Sequence, residues 1–172
     1  MTQPKQYVEI LLQPGDYYFS NDPNTRIRTL LGSCVSVTLW HPKFKAGGMC
    51  HFLLPQRKKS AAGPGAVLTI QNSDARYADE ALWLLREDIK QIGLPLKQFQ
   101  AKIFGGARMF SSEQGSAADV GSKNIQAARD LLQSMGLNFS SEHVGGSGHR
   151  NVFFDLWSGD VWVRQLPLPP KK

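Results

Sequence analysis

The sequence predicts an α+β fold: a single layered α/β sandwich domain with mixed or antiparallel sheets and two main helices. Three observations predict it. Short β-branched or aromatic runs crowd both ends of the chain, two segments of the second half carry helical periodicity, and 172 residues with 41% hydrophobic content suffice for one buried core. Strands gathered apart from helices favour this class over a doubly wound parallel sheet, in which the two would alternate throughout. The domain is expected over residues 1–166. A flexible tail follows at 167–172, where the prolines cannot join a sheet.

The first strands are read at Tyr17 to Phe19, Arg26 to Leu31, Val35 to Trp40 and Met49 to Leu54. The turn-rich segments PGD, NDPN and HPKFKAGG separate them. Residues 56–66, QRKKSAAGPGA, read as a basic, mobile surface loop. A helix is expected from Asp74 to Ile92, because Tyr77, Ala81, Leu85, Ile89 and Ile92 recur at helical spacing. Asp74 is placed to cap its start and Gly93 to end it. A strand from Ala101 to Phe104 runs into Gly105-Gly106. The second helix is expected from Ser122 to Met135, with Ile125, Ala128, Leu132 and Met135 on one face and Gly136 after it. Another short strand leads into Gly145-Gly146, so the order helix, Gly-Leu, strand, Gly-Gly occurs twice, a weak internal echo. The chain closes on a hairpin, Asn151 to Leu156 and Val161 to Leu166, around the tight-turn sequence Ser158-Gly159-Asp160. Trp157 and Trp162 are expected to cover a sheet there.

Composition narrows the function. No run approaches the ~18 consecutive apolar residues of a membrane span, and the N-terminal apolar patch is broken by Glu9 and Gln13, unlike a signal peptide. A cytoplasmic protein without membrane insertion is expected, and two cysteines there do not suggest a structural disulfide. The net charge of +6 points to an acidic partner. Nucleic acid is disfavoured, since the chain has neither zinc-finger spacing nor a basic stripe interleaved with aromatics.

The candidate chemistry lies in TLLGSCVSVTLWHPKFKAGGMCHFLLP, residues 29–55. If Trp40 pairs with Lys45 across a loop of His41 to Phe44, Cys34 falls directly opposite His51. Opposed Cβ atoms are then roughly 4.5–5.5 Å apart, and a one-residue slip would send His51 to the other face. An imidazolium beside a cysteine stabilises the thiolate, and the ring can later protonate a leaving group. Gly32-Ser33 could aim amide N–H groups at an oxyanion. On spacing alone, however, a cysteine and a strand histidine are more often packing residues. Cys50 reads as a core cysteine on the opposite strand face. A zinc set of Cys34, Cys50, His41 and His51 fits poorly, because it lacks paired ligand spacing and needs both faces of one strand.

The runs T-L-L-G-S-C-V-S-V-T-L and G-G-M-C-H-F-L-L-P resemble the CheD family of bacterial chemoreceptor glutamine deamidases. Tyr77-Ala78-Asp79, A-K-I-F-G-G-A-R-M-F at 101–110, N-I-Q-A-A-R at 124–129, Gly145-Gly146 with Arg150, and the closing V-W-V strand continue the likeness in order. The resemblance implies an enzyme, a protein-glutamine glutaminase. It would convert selected glutamines of methyl-accepting chemotaxis receptors to glutamate, with no cofactor and no metal, on a fold similar to the cytotoxic necrotizing factor deamidases. It also implies Cys34 as nucleophile, His51 as base, and the CheC phosphatase as a possible partner. The resemblance also implies a third catalytic residue, a threonine upstream of the cysteine that in some relatives falls at the place of Arg28; here Thr29 stands one position nearer the cysteine. On a regular strand that reverses its direction unless a bulge at Leu31-Gly32 restores it. Thr29 is assigned to orient His51, with Ser33 and Ser36 as alternatives. Ser33, Gly105 and Gly106 are the expected substrate-binding positions, although glycine pairs also simply serve turns. Arg57, Lys58 and Lys59 could attract an acidic receptor surface. Two other classes stay open: a cysteine hydrolase acting on another amide or a methyl ester, and a non-catalytic chemotaxis binding module.

Overall fold

The structure, a computed structural model, describes residues 2–57, 67–109 and 117–168. Most of the basic loop at 56–66, including Lys58 and Lys59, lies outside those residues, as does the tail from 169 onward. In chain order the elements are β1 (Val8–Leu12), β2 (Tyr17–Ser20), β3 (Thr25–Leu31), β4 (Val35–His41), β5 (Ala46–Phe52), α1 (Ala78–Gln91), β6 (Gln100–Gly105), α2 (Ala117–Ser134), β7 (Phe139–Val144), β8 (His149–Asp155) and β9 (Val161–Leu166). A short 3-10 helix, Leu96–Gln98, precedes β6.

Two mixed sheets form. One has the order β1-β3-β8-β9, the other β2-β5-β4-β6-β7. β1 runs parallel to β3 and β6 parallel to β7, while the other neighbours are antiparallel. Side-chain alternation then builds two apolar layers. Val35, Val37, Leu39, Cys50 and Phe52 meet Leu82, Leu85, Ile89, Ala128 and Leu132 of the helices. Met49 and Phe104 meet Leu12, Ile27, Leu31, Val152 and Phe154 of the four-stranded sheet. The five-stranded sheet is thus the middle layer, and every residue of β5 is buried. Both faces of AGGMCHF must suit a dry interior, which explains the near absence of polar side chains there.

Several boundaries differ from expectation. β1 falls in the N-terminal apolar patch, where no strand was expected; its pairing with β3 skips over β2 and leaves no turn signal to find. α1 begins at Ala78 behind Tyr77, without a side-chain cap. Asp74 instead accepts from the backbone and guanidinium of Arg76, so it does not cap the helix. α2 starts earlier than expected, passing through Gly121, where an added Cβ would crowd the Gly106 carbonyl. That close helix–backbone approach, and not a helix break, is what the glycine serves.

The repeated helix–strand–Gly-Gly pattern has a spatial meaning. β6 and β7 lie side by side with α2 as their crossover, and Gly145 N–H donates to Gly105 C=O (2.9 Å). The closing hairpin pairs Phe154 with Val161. Of its tryptophans, Trp157 is buried, but Trp162 is 60% exposed, on the face of β9 turned away from the core. Its indole N–H reaches Asp155 (3.0 Å).

Candidate active site

β3 presents Thr25, Ile27, Thr29 and Leu31 to the space between the sheets and turns Arg26, Arg28 and Leu30 away. The chain then leaves this sheet through Gly32-Ser33 and enters the other at Val35. Thr29 and Cys34 therefore never share a strand. The reversal expected for a threonine one place nearer the cysteine does not arise, and no bulge is required.

His51 sits on β5 with its main chain fastened to the β1–β2 turn: its N–H donates to Asp16 C=O (2.9 Å), and its C=O accepts from Gly15 N–H (2.8 Å). Its ring is buried, with Nδ1 2.7 Å from Thr29 Oγ1. The same hydroxyl lies 2.9 Å from the Leu12 carbonyl. A carbonyl only accepts, and threonine has a single hydroxyl proton to give. The proton goes to Leu12, so Thr29 must accept from Nδ1–H. The neutral ring then carries its lone pair on Nε2, which is buried and has no partner among the described residues.

Cys34 is half-buried and packs against the same inter-sheet cluster as Met49 and Leu31. The observed register places Ser36, not Cys34, across from His51, with Trp40 against Gly47. The expected pairing is corrected by two residues. The loop is Pro42 to Lys45, closed by Lys45 N–H donating to His41 C=O (2.7 Å), with Lys45 at φ 52°. An even shift preserves the face, so Cys34 remains on the His51 side of the sheet. Burial raises the Cys34 pKa, partly offset by its own backbone N–H near the sulfur. Burial also pushes the His51 pKa down to about 4, against a smaller upward pull from Asp16. Both shifts favour uncharged groups. Burial thus works against the charged forms of both groups, the thiolate and the imidazolium.

Residues 53–165 match the family model described as CheD chemotactic sensory transduction. The chain is 44% identical over 160 residues to "Probable chemoreceptor glutamine deamidase CheD 3" of Dechloromonas aromatica (strain RCB), covering 93% of this chain and 89% of the relative. The chain belongs to the CheD family. "Probable chemoreceptor glutamine deamidase CheD 1" of Chromobacterium violaceum is 48% identical over 157 residues, covering 91% and 77% of the two chains. The CheD of Pseudomonas fluorescens (strain SBW25), named likewise, is 42% identical over 170 residues, covering 98% and 90%.

The remaining expected positions distribute as follows in this CheD-family chain. Gly105 and Gly106 pack against the protein itself. A Cβ on Gly105 would overlap the Cys34 carbonyl oxygen, and one on Gly106 would strike Ile125 of α2. Gly106 N–H donates to Cys34 C=O (2.8 Å) and Ala107 N–H to Gly32 C=O (2.9 Å), so this segment cradles the cysteine's main chain. The Ser33 carbonyl accepts from Asn124 Nδ2 at 3.3 Å, and the Ser36 hydroxyl is buried without a partner among the described residues. Cys50 faces the helices, with burial pushing its thiol up to about 12. His41 binds Gln98 (2.9 Å) at the other end of β4, away from His51. The four thiol and imidazole groups do not converge. Arg57 is engaged internally, bidentate to Glu80 (2.9 and 2.8 Å) over the Tyr77 ring.

Arg150 and Asn124 are among the buried polar residues to which sequence reasoning gave no role. Arg150 donates to His143 (2.8 Å) and Gly145 C=O (2.5 Å), tying the four-stranded sheet to the end of β7. Asn124, four residues before Ala128, occupies the buried stripe of α2. A polar residue inside an apolar helical stripe was the signal that could have found it.

Proposed function

We propose that this chain hydrolyses the side-chain amide of glutamines on chemoreceptors, with Cys34 as nucleophile, His51 as general base and Thr29 orienting His51. One observation carries the reading: the Leu12–Thr29–His51 chain of hydrogen bonds leaves a lone pair on Nε2, on the face where Cys34 packs. The names of the relatives supply the substrate class.

The reaction starts from neutral groups. As sulfur attacks the carboxamide carbon, the thiol proton passes to Nε2, and Thr29 accepts from the Nδ1–H of the resulting imidazolium. The tetrahedral oxyanion accepts a hydrogen bond from the Cys34 N–H. Its collapse expels the amide nitrogen, which leaves as ammonia with the proton from Nε2, and a thioester forms. His51 then removes a proton from water, the hydroxide adds to the thioester, and Cys34 departs, reclaiming its proton. The products are glutamate and ammonia. No step requires a metal or cofactor. We read the layered fold as related to the cytotoxic necrotizing factor deamidases, and CheC as a candidate partner; a cysteine packed in the same inter-sheet layer that a strand histidine faces supports the former. No helix of the described residues is long and apolar enough to cross a membrane, and the proposed site of action is the cytoplasm.

Incubating a purified chemoreceptor cytoplasmic domain with the wild type should release ammonia and convert specific glutamines to glutamate by peptide mass mapping. Cys34→Ala should do neither. Methanol release without ammonia would make the chain an esterase, and a Cys34→Ala protein that still deamidates would remove the nucleophile assignment.

A further inference from the structure

Asn124 has no exposed surface, and its amide nitrogen lies between two main-chain carbonyls, Ser33 C=O at 3.3 Å and Leu53 C=O at 2.7 Å. Two acceptors fix the nitrogen on that side, since the oxygen could not donate to either. One side chain on α2 therefore joins the residue just before Cys34 to the segment that leaves β5 just after His51. Its Oδ1 is buried with no partner among the described residues. An acceptor left unpaired is a cost that an apolar residue of similar size would avoid, so helix packing alone does not account for asparagine here.

The Ser33–Cys34 peptide explains what the bond achieves. In a trans peptide the C=O and the following N–H lie in one plane and point opposite ways. With Ser33 C=O held toward α2, the Cys34 N–H is turned away from the helix. The opposite end of the same segment is pinned by Gly106 N–H on Cys34 C=O.

We propose that Asn124 is a positioning residue: it sets the plane of the Ser33–Cys34 peptide so that the Cys34 N–H meets the oxyanion of the tetrahedral intermediate. This rests on the deamidase reading above. It predicts that Asn124 acts on the acyl-transfer step while leaving the thiol–imidazole pair untouched.

The test compares wild type, Asn124→Asp and Asn124→Ala on a purified chemoreceptor cytoplasmic domain. Asparagine and aspartate are nearly isosteric, but a carboxyl has at most one proton and cannot donate to two carbonyls. Both variants should lose ten- to a hundredfold in kcat, about the effect of weakening one oxyanion donor, with KM within about twofold. Iodoacetamide labelling of Cys34 against pH should match the wild type, because alkylation builds no oxyanion. Unchanged kcat, a labelling profile displaced together with kcat, or loss of the fold in both variants overturns the proposal, the last two by assigning Asn124 to general structure. A wild type that labels at Cys34 yet releases no ammonia overturns the deamidase reading itself, and this inference with it.

Discussion

Thr29 and His51 belong to different sheets, yet Thr29 Oγ1 and His51 Nδ1 lie 2.7 Å apart in the layer between them. The contact selects the imidazole tautomer through a single proton that Thr29 has already given to Leu12. The first prediction follows from that proton. Thr29→Val keeps the volume but removes the acceptor for Nδ1–H, and should lower kcat by about ten- to a hundredfold. Thr29→Ser retains the hydroxyl and should stay within about threefold. Equal activity in all three proteins, measured by ammonia release, would disconnect Thr29 from the base.

His51 should make the fold sensitive to mild acid. Its folded pKa, about 4, lies below the ordinary histidine value, so the unfolded chain binds more protons between pH ~6.5 and 4. Stability then rises with pH across that window and is lost as pH falls through it, by an amount on the order of 3 kcal/mol. Chemical denaturation of wild type and His51→Asn at several pH values should show a shallower loss in the variant. Parallel curves would mean that the ring is not held neutral.

The same depression sets the activity profile. The acid limb of kcat/KM should fall well below the ordinary histidine range, since Nε2 stays unprotonated there. A limb at pH ~6.5 would indicate a solvent-exposed, unperturbed imidazole in the working enzyme.

The two thiols should separate cleanly. Cys50 is fully buried with its pKa raised to about 12, and Cys34 is half-buried. Native protein should take one iodoacetamide label, lost in Cys34→Ser, and a second only on unfolding. The Cys34 labelling midpoint should lie above that of a free cysteine, the direction burial imposes.

Gly105→Ala should be far costlier than Gly93→Ala. Both glycines have positive φ, 104° and 72°, but nothing lies within 4 Å of a Cβ at Gly93, whereas one at Gly105 overlaps the Cys34 carbonyl. Gly93→Ala should cost about 1 kcal/mol of stability. Gly105→Ala should cost about 3 kcal/mol or more and depress Cys34 labelling. Comparable denaturation midpoints for the two variants would remove the cradle.

Much of this was legible in the chain because alternation survives errors of two. The β4–β5 register was misplaced, since Lys45 adopts a positive φ that no residue type announces, yet Cys34 stayed on the His51 face. Thr29 was harder. Its direction depends on the passage from one sheet to the other at Gly32-Ser33, and a local sequence pattern does not tell a strand bulge from a change of sheet. β1 escaped because its partner lies beyond β2, and Trp162 because hydrophobicity does not distinguish a covered face from an open one. Asn124 sat in view on an apolar stripe, but its acceptors, Ser33 and Leu53, come from segments far from it in the chain.

The division of Thr29 and His51 between two sheets turns the apolar filling into a mechanical calibrator. Side chains such as Met49, Ile27 and Phe154 fill the layer beneath that contact and help to set how far one sheet slides over the other. A displacement of half an ångström, trivial for the stability of either sheet, would stretch the 2.7 Å bond and blur the tautomer choice. Hollowing this filling should therefore silence the chemistry while the molecule still melts as a folded body.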